Sequence, residues 1–176
     1  MSDHALFYNS VNGDRVYDAD DFEKWLKPFF MTGVFQGDLE VTPSSNMTVN
    51  VSAGYCNIEG KVRSFDSVST LTLDAAHSTL NRIDNITIRR DDTNRDITLI
   101  IQKGTQANNP VAPVPVRSGG IYDLVIARIY VAGAATTITA ANITDTRSDP
   151  DLCGVCIDFN DLYNTLGDIN SLLASI

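Results

Sequence analysis

Short runs of β-prone residues, separated by turn residues, fill the middle of this 176-residue chain. In Met47–Val51 and Ser69–Leu73, apolar and polar residues alternate with a period of two. This alternation is typical of strands that bury one face. No long helical pattern lies between the runs, as a βαβ protein would require. The pattern therefore predicts a mainly β fold, either an antiparallel sandwich or a barrel.

The clearest local prediction is a β-hairpin. Ile83–Arg90 and Ile97–Ile101 flank the polar stretch Asp91–Asp96, whose composition is typical of a hairpin loop. Ile121–Val131 is the longest apolar run and predicts a central strand. Asn109–Pro115 is rich in proline, which cannot donate to a sheet, so we expect an extended surface connection there.

Weaker signals complete the β region, which we place at residues 36–152. Further candidate strands are Leu39–Val41, Tyr55–Val62 and Thr136–Thr139. Ala140–Arg147 is expected to form a turn or a single helical turn.

Residues 1–35 form an N-terminal segment with a short helix. Asp18 can cap a helix that ends before Pro28 and whose first turn carries acidic residues. The segment holds more large apolar side chains than one short helix can bury, so the β region or a partner must cover them. We interpret it as an attachment segment that binds another protein of a larger particle. The candidate attachment residues are Phe22, Trp25, Leu26, Phe29, Phe30 and Phe35.

Residues 153–176 carry an apolar seam with alternating spacings of three and four residues, which is typical of a coiled-coil helix. The seam residues are Phe159, Leu162, Leu166, Ile169, Leu173 and Ile176. Leucine at the a positions with isoleucine at the d positions favours trimers or tetramers over dimers. The seam is too short to associate alone, so neighbouring β-domains would have to support it. The alternative is an amphipathic helix that packs on its own sheet.

Charge and hydropathy exclude several classes of partner. Thirteen basic and twenty-two acidic residues give a net charge of -9, which disfavours binding to nucleic acid or to an anionic membrane. The sequence contains no apolar run long enough to span a membrane and no signal peptide pattern. We therefore expect a protein made in a cytosol.

The sequence carries no constellation that predicts an enzyme, and we expect no cofactor. Cys153 and Cys156 form a Cys-x-x-Cys pair, which supplies only half of a zinc site. The other candidate ligands, Cys56, His4 and His77, lack paired spacing. With no secretory signal, the three cysteines are expected to be free thiols.

Read as ordered strings, the chain resembles a family of phage and prophage tail proteins, the baseplate and tail-fibre components of Gram-positive-type siphophages. The resemblance runs from about Phe7 to Gly154. The strings that carry it are Asn9–Arg15 with Tyr17, Gly33–Phe35, Leu39–Val41, Met47–Val49, Val51–Tyr55, Leu80–Asp84, Lys103–Thr105, Asn109–Pro110, Ala112–Pro113, Tyr122–Ala127, Ile143–Arg147 and Leu152–Gly154.

The resemblance implies a structural virion protein, made in the bacterial host cytoplasm and located in the tail. It implies a homotrimeric adaptor that binds other tail or baseplate proteins and connects the tail tip to host-recognition parts. The alternative function is a carbohydrate-binding module for host cell-wall polysaccharide. Tyr55, Tyr122 and Tyr130 are its candidate contact residues, although packing in the core is the simpler explanation for them.

Overall fold

The computed structural model describes residues 6–156 and 159–175, and the fold is mainly β, as the sequence predicts. The two helices are α1 (Ala19–Leu26) and α2 (Phe159–Leu173). The strands are β1 (Gly33–Phe35), β2 (Val41–Pro43), β3 (Thr48–Val51), β4 (Gly54–Ile58), β5 (Lys61–Phe65), β6 (Ser69–Thr72), β7 (Arg82–Asp91), β8 (Asp96–Gln102), β9 (Arg117–Ser118), β10 (Ile121–Val131), β11 (Ile143–Asp145) and β12 (Val155–Cys156).

The described strands form three sheets that do not close into a barrel. One sheet has the order β12-β1-β4-β5, the second has the order β11-β10-β7-β8 with β9 beside β10, and the third has the order β2-β3-β6. All strand pairs are antiparallel except β1 with β12.

One apolar core joins the three sheets. Each sheet contributes side chains to this core, for example Val34, Val49 and Ile88, which are each at most 1% exposed. The first core residue in the chain is Val34, so none of the described residues before it belongs to the core. We call residues 33–156 the β-domain. The sequence boundary at residue 35 places β1 in the N-terminal segment, whereas hydrogen bonds join β1 to β4 and β12.

Several predictions of local structure are confirmed. Asp18 caps α1 and forms a capping box with Asp21. The hairpin β7–β8 and the central strand Ile121–Val131 form as expected. The proline-rich connection 109–115 contains neither helix nor strand. Within Ala140–Arg147, the expected helical turn is the 3₁₀ turn Ala140–Asn142, whereas Ile143–Asp145 was not expected to form a strand and is β11, which pairs with β10.

Two strand predictions are right only in part, and one is wrong. Tyr55–Val62 contains a hairpin turn at Glu59 and Gly60, which both adopt positive φ, as a two-residue type I′ loop requires. Leu39 has φ 56° and is a buried turn residue, so β2 begins only at Val41. Thr136–Thr139 is not a strand, although Ile138 within it is buried and donates its N–H to the carbonyl of Asn46.

Buried charged groups fix the long strands in place. Arg82 and Asp84 are each 1% exposed, and the Arg82 Nε lies 2.9 Å from Asp84 Oδ2. Asp123 is fully buried and accepts hydrogen bonds from Arg89 Nε, at 2.8 Å, and from the backbone N–H of Val116. The second bond ties the end of the proline-rich connection to the central strand.

Candidate interaction surfaces

Four aromatic side chains at the N-terminal end form an exposed cluster, which we call the aromatic surface: Phe7, Phe22, Trp25 and Phe29. Their exposed fractions lie between 43% and 56%. The Phe7 ring centroid lies 5.3 Å from that of Trp25, which lies 5.9 Å from that of Phe29. Contacts at these distances order the rings relative to one another, yet about half of each side chain stays in solvent.

The opposite face of α1 is charged and faces the β-domain. Lys61 on β5 forms ion pairs with Glu23 and, at 3.9 Å, with Asp20. Arg90 on β7 lies 3.5 Å from Glu23, and Lys27 lies 3.0 Å from Glu59 in the β4–β5 turn. Within α1 the only buried residue is Asp21. The helix therefore directs its charges toward its own domain and its aromatic rings toward solvent.

The connection between α1 and β1 is tied to the same turn. The buried Asn57 donates from Nδ2 to the carbonyls of Phe30, at 3.3 Å, and Met31, at 3.0 Å. Thr32 Oγ1 accepts the N–H of Glu59 at 3.0 Å. Gly60 lies so close to α1 that an added Cβ would be 2.6 Å from the carbonyl oxygen of Glu23.

The structure brings together only part of the predicted attachment set. Phe22, Trp25 and Phe29 share the aromatic surface. Leu26 and Phe30 are half-buried behind it. Phe35 lies in β1, where its ring makes an edge contact with Tyr55 at 6.3 Å. The sequence reasoning missed Phe7, because its contacts to α1 cross a connection with no regular pattern.

The seam of α2 is uncovered. Leu162, Leu166, Ile169 and Leu173 are between 48% and 63% exposed. All side chains from residue 162 to residue 175 are exposed. This part of the chain therefore does not pack on the β-domain. Two of the predicted seam positions lie outside what the structure describes: the side chain of Phe159 and the residue Ile176.

No charged residue flanks the seam in the sequence of α2. With Leu166 as an a position, the e and g positions between residues 163 and 172 hold Tyr163, Thr165, Asn170 and Leu172. Both aspartates of the helix, Asp161 and Asp168, fall at the outer c position. Identical helices can therefore approach without repulsion between like charges at the seam.

The two uncovered surfaces are reached from opposite ends of one strand pair. β1 follows α1, and β12 precedes α2, with Val34 beside Val155 and Phe35 beside Cys156. Since the pair is parallel, both strands start at the same end. The chain thus enters the pair at Gly33 from α1 and leaves it at Cys156 toward α2.

A cleft of about 690 Å³ lies between α1 and the β4–β5 and β7–β8 hairpins. Its lining combines acidic residues such as Glu23 and Asp96 with basic residues such as Lys61, Arg63 and Arg90. Arg63 Nη1 pairs with Asp96 Oδ1 at 2.8 Å. At the rim, the backbone N–H of Asn94 lowers the pKa of Asp91 below its ordinary value. The lining contains no His, Cys or Ser.

All three cysteines are buried in the β-domain, and none forms a disulfide. Burial raises the pKa of Cys56 and of Cys153 to about 12, which keeps both thiols protonated at neutral pH. Within residues 6–156 and 159–175, no three His, Cys, Asp or Glu side chains are grouped as a metal ion requires. The Cys-x-x-Cys pair leads from a turn into β12.

The three candidate sugar-binding tyrosines do not form one platform. Tyr55 lies on β4, in a different sheet from Tyr122 and Tyr130, which lie near opposite ends of the eleven-residue strand β10. The guanidinium of Arg117 covers the ring of Tyr122, 5.0 Å from its centroid.

Comparison with family models, curated proteins and solved structures found no match. Neither described helix is long and apolar enough to cross a membrane.

Proposed function

We propose that this protein is a homotrimeric structural adaptor with a separate protein-binding surface at each end of its β-domain. The observation that carries this proposal is that two uncovered apolar surfaces are reached from opposite ends of the β1–β12 pair. A monomeric soluble protein rarely leaves such contiguous apolar surfaces exposed, so each is best explained as an interface.

In this proposal, α2 joins three copies as a parallel coiled coil. Leucine at a with isoleucine at d favours more than two strands. The apolar Leu172 at a g position widens the buried face, which suits a trimer better than a dimer. The β-domains, with their sheets packed as sandwich layers, sit side by side at the base of the short coil and support it.

The aromatic surface is the attachment face for another protein of the same particle. Aromatic residues are enriched where proteins bind each other, because large rigid rings bury much area at little entropic cost. The sequence resemblance to tail baseplate and fibre components makes a phage tail the proposed particle, with α2 on the host-facing side. The protein acts by assembly and carries out no catalytic step.

Gold-labelled antibodies against the β-domain test the location. Electron microscopy of tail particles induced from the source bacterium should show label at one end of the tail. If the particles carry no label while the lysate contains the soluble protein, the tail assignment is wrong. Binding of the purified protein to cell-wall polysaccharide, lost on substitution of Tyr55, would support the carbohydrate-binding alternative instead.

A further inference from the structure

We propose that α1 is an arm held against the β-domain by an electrostatic latch, and that it can swing away without unfolding that domain. The latch consists of the ion pairs of Glu23 and Asp20 with Lys61, of Glu23 with Arg90, and of Lys27 with Glu59. The arm is α1 with the aromatic surface on its outer face. This motion does not depend on which partner the aromatic surface binds.

The composition of the contact supports a releasable arm. The helix face that meets the β-domain carries Asp20 and Glu23, and Lys27 follows directly as the C-cap. These charges regain water when the contact opens. Ion pairs between partly exposed side chains, such as those of Lys61 and Lys27, contribute little net stability and are weakened by salt. Arg90 is buried, but it keeps its ion pair with Asp92 on the β-domain when the contact to Glu23 opens. The apolar core begins at Val34, so no core residue lies on the arm itself.

The position of the hinge follows from the fixed points on either side. Hydrogen bonds from Asn57 to the carbonyls of Phe30 and Met31 hold the chain to the β4–β5 turn. The helix ends at Leu26. The change in backbone direction therefore falls between Leu26 and Phe30, where it breaks the hydrogen bonds that the N–H groups of Phe29 and Phe30 donate to the carbonyl of Leu26. Opening there would widen the cleft and bring Lys61 and Arg90 into solvent.

Spin labels placed across the cleft measure the opening directly. Lys24→Cys on α1 and Arg95→Cys at the tip of the β7–β8 hairpin line opposite sides of the cleft and lie outside the latch. The native cysteines are buried, so labels attach to the introduced thiols. Pulsed electron paramagnetic resonance then gives the distribution of distances between the two labels.

We expect one short distance at low ionic strength. A longer component should grow in about 1 M salt, where the screening length falls to about 3 Å. Glu23→Gln, which removes pairs with Lys61 and Arg90, should raise the open fraction about fivefold without added salt. Glu40→Gln neutralises an exposed carboxylate outside the latch and should leave the distribution unchanged.

A second pair of variants opens the contact sterically. Gly60→Ala places a Cβ against the carbonyl of Glu23 and should favour the open state. Gly120→Ala is the control, because it also places alanine at a positive φ, +80° compared with +92° at Gly60, but the added Cβ makes only ordinary contacts there. This variant should not favour the open state. An identical distribution at low and high salt and in Glu23→Gln would overturn the proposal. Loss of the β-type circular dichroism in Glu23→Gln would also overturn it, because α1 would then be part of the fold.

Discussion

Val34 and Val155 are register partners in the parallel strand pair β1–β12. This short pairing joins a strand near the start of the β-domain to the last strand before α2. Val34 also donates its backbone N–H to the carbonyl of Gly154 at 3.1 Å. The position from which α2 leaves the domain therefore depends on a contact between residues about 120 positions apart in sequence.

Gly33→Ala should weaken this contact. The added Cβ would overlap the backbone carbonyl of Gly154, so the strands must separate. We expect a loss of about 3 kcal/mol in the free energy of unfolding, measured by urea denaturation. Gly37→Ala, at φ +84° in open space, should cost only about 1 kcal/mol. Equal losses in the two variants would show that Gly33 and Gly154 are not tightly packed.

Arg82→Met should destabilise the β-domain strongly. It leaves the Asp84 carboxylate buried without its guanidinium partner, which costs about 3–5 kcal/mol. Lys103→Ala provides the control, because its ion pair with Asp74 is exposed and should contribute little to the free energy of unfolding. Urea denaturation of both variants gives the comparison. A loss below about 1 kcal/mol for Arg82→Met would mean that water reaches the pair.

The sequence predicts elements best where one local signal dominates. The capped helix, the β7–β8 hairpin and the central strand each rest on adjacent residues, and all are confirmed. The β4–β5 hairpin was missed because Glu59 is not a typical turn residue, although Gly60 after it adopts positive φ. β1 and β12 are too short to show an alternation, and both depend on strands distant in sequence, since β12 pairs with β1 and β1 pairs with β4 and β12.

The sequence predicts which residues form the candidate surfaces, but it does not predict whether the fold leaves those residues exposed. The spacing of Leu162, Leu166 and Ile169 marks the seam, and their exposure is known only from the fold. The latch joins Glu23 to Lys61, 38 residues away, and no local pattern indicates that pairing. Charged residues occur on most helices, so only the tertiary structure shows that those of α1 face the β-domain.

The buried thiols should make stability depend on pH in the alkaline range. Folding raises the pKa of Cys56 and Cys153 from 9.0 to about 12 because burial disfavours the thiolate. The folded protein therefore holds these protons more tightly, so their contribution is intact below pH 9 and is lost as the pH rises toward 12. Urea denaturation at pH 8 and pH 10.5 should show a loss that is smaller in Cys56→Ala.

Reaction with a thiol reagent gives an independent check on the same residues. At pH 8 the folded protein should react at none of its three cysteines, and the urea-unfolded protein should react at all three. Rapid modification of the folded protein would contradict the burial of these side chains.

Deletion of residues 1–29 should leave a folded β-domain. The core begins at Val34, and among the described residues the deletion removes the exposed aromatic contacts, the half-buried Leu26, the buried Asp21 and the ion pairs of the latch. We expect the free energy of unfolding to fall by no more than about 2 kcal/mol, measured by urea denaturation. Unfolding of the truncated chain would show that the aromatic residues support the domain, and the attachment role would lose its basis.

Sedimentation equilibrium tests the adaptor most directly, because an adaptor of this design must be a trimer. We expect a mass three times the 19.2 kDa of one chain. Leu166→Asp with Ile169→Asp places six carboxylates in the seam and should give a smaller species that keeps its β-type circular dichroism. The control, Asn164→Asp with Ser171→Asp, adds the same charge at outer f positions and should remain a trimer. A wild-type protein that sediments as a monomer at high micromolar concentration would contradict the account.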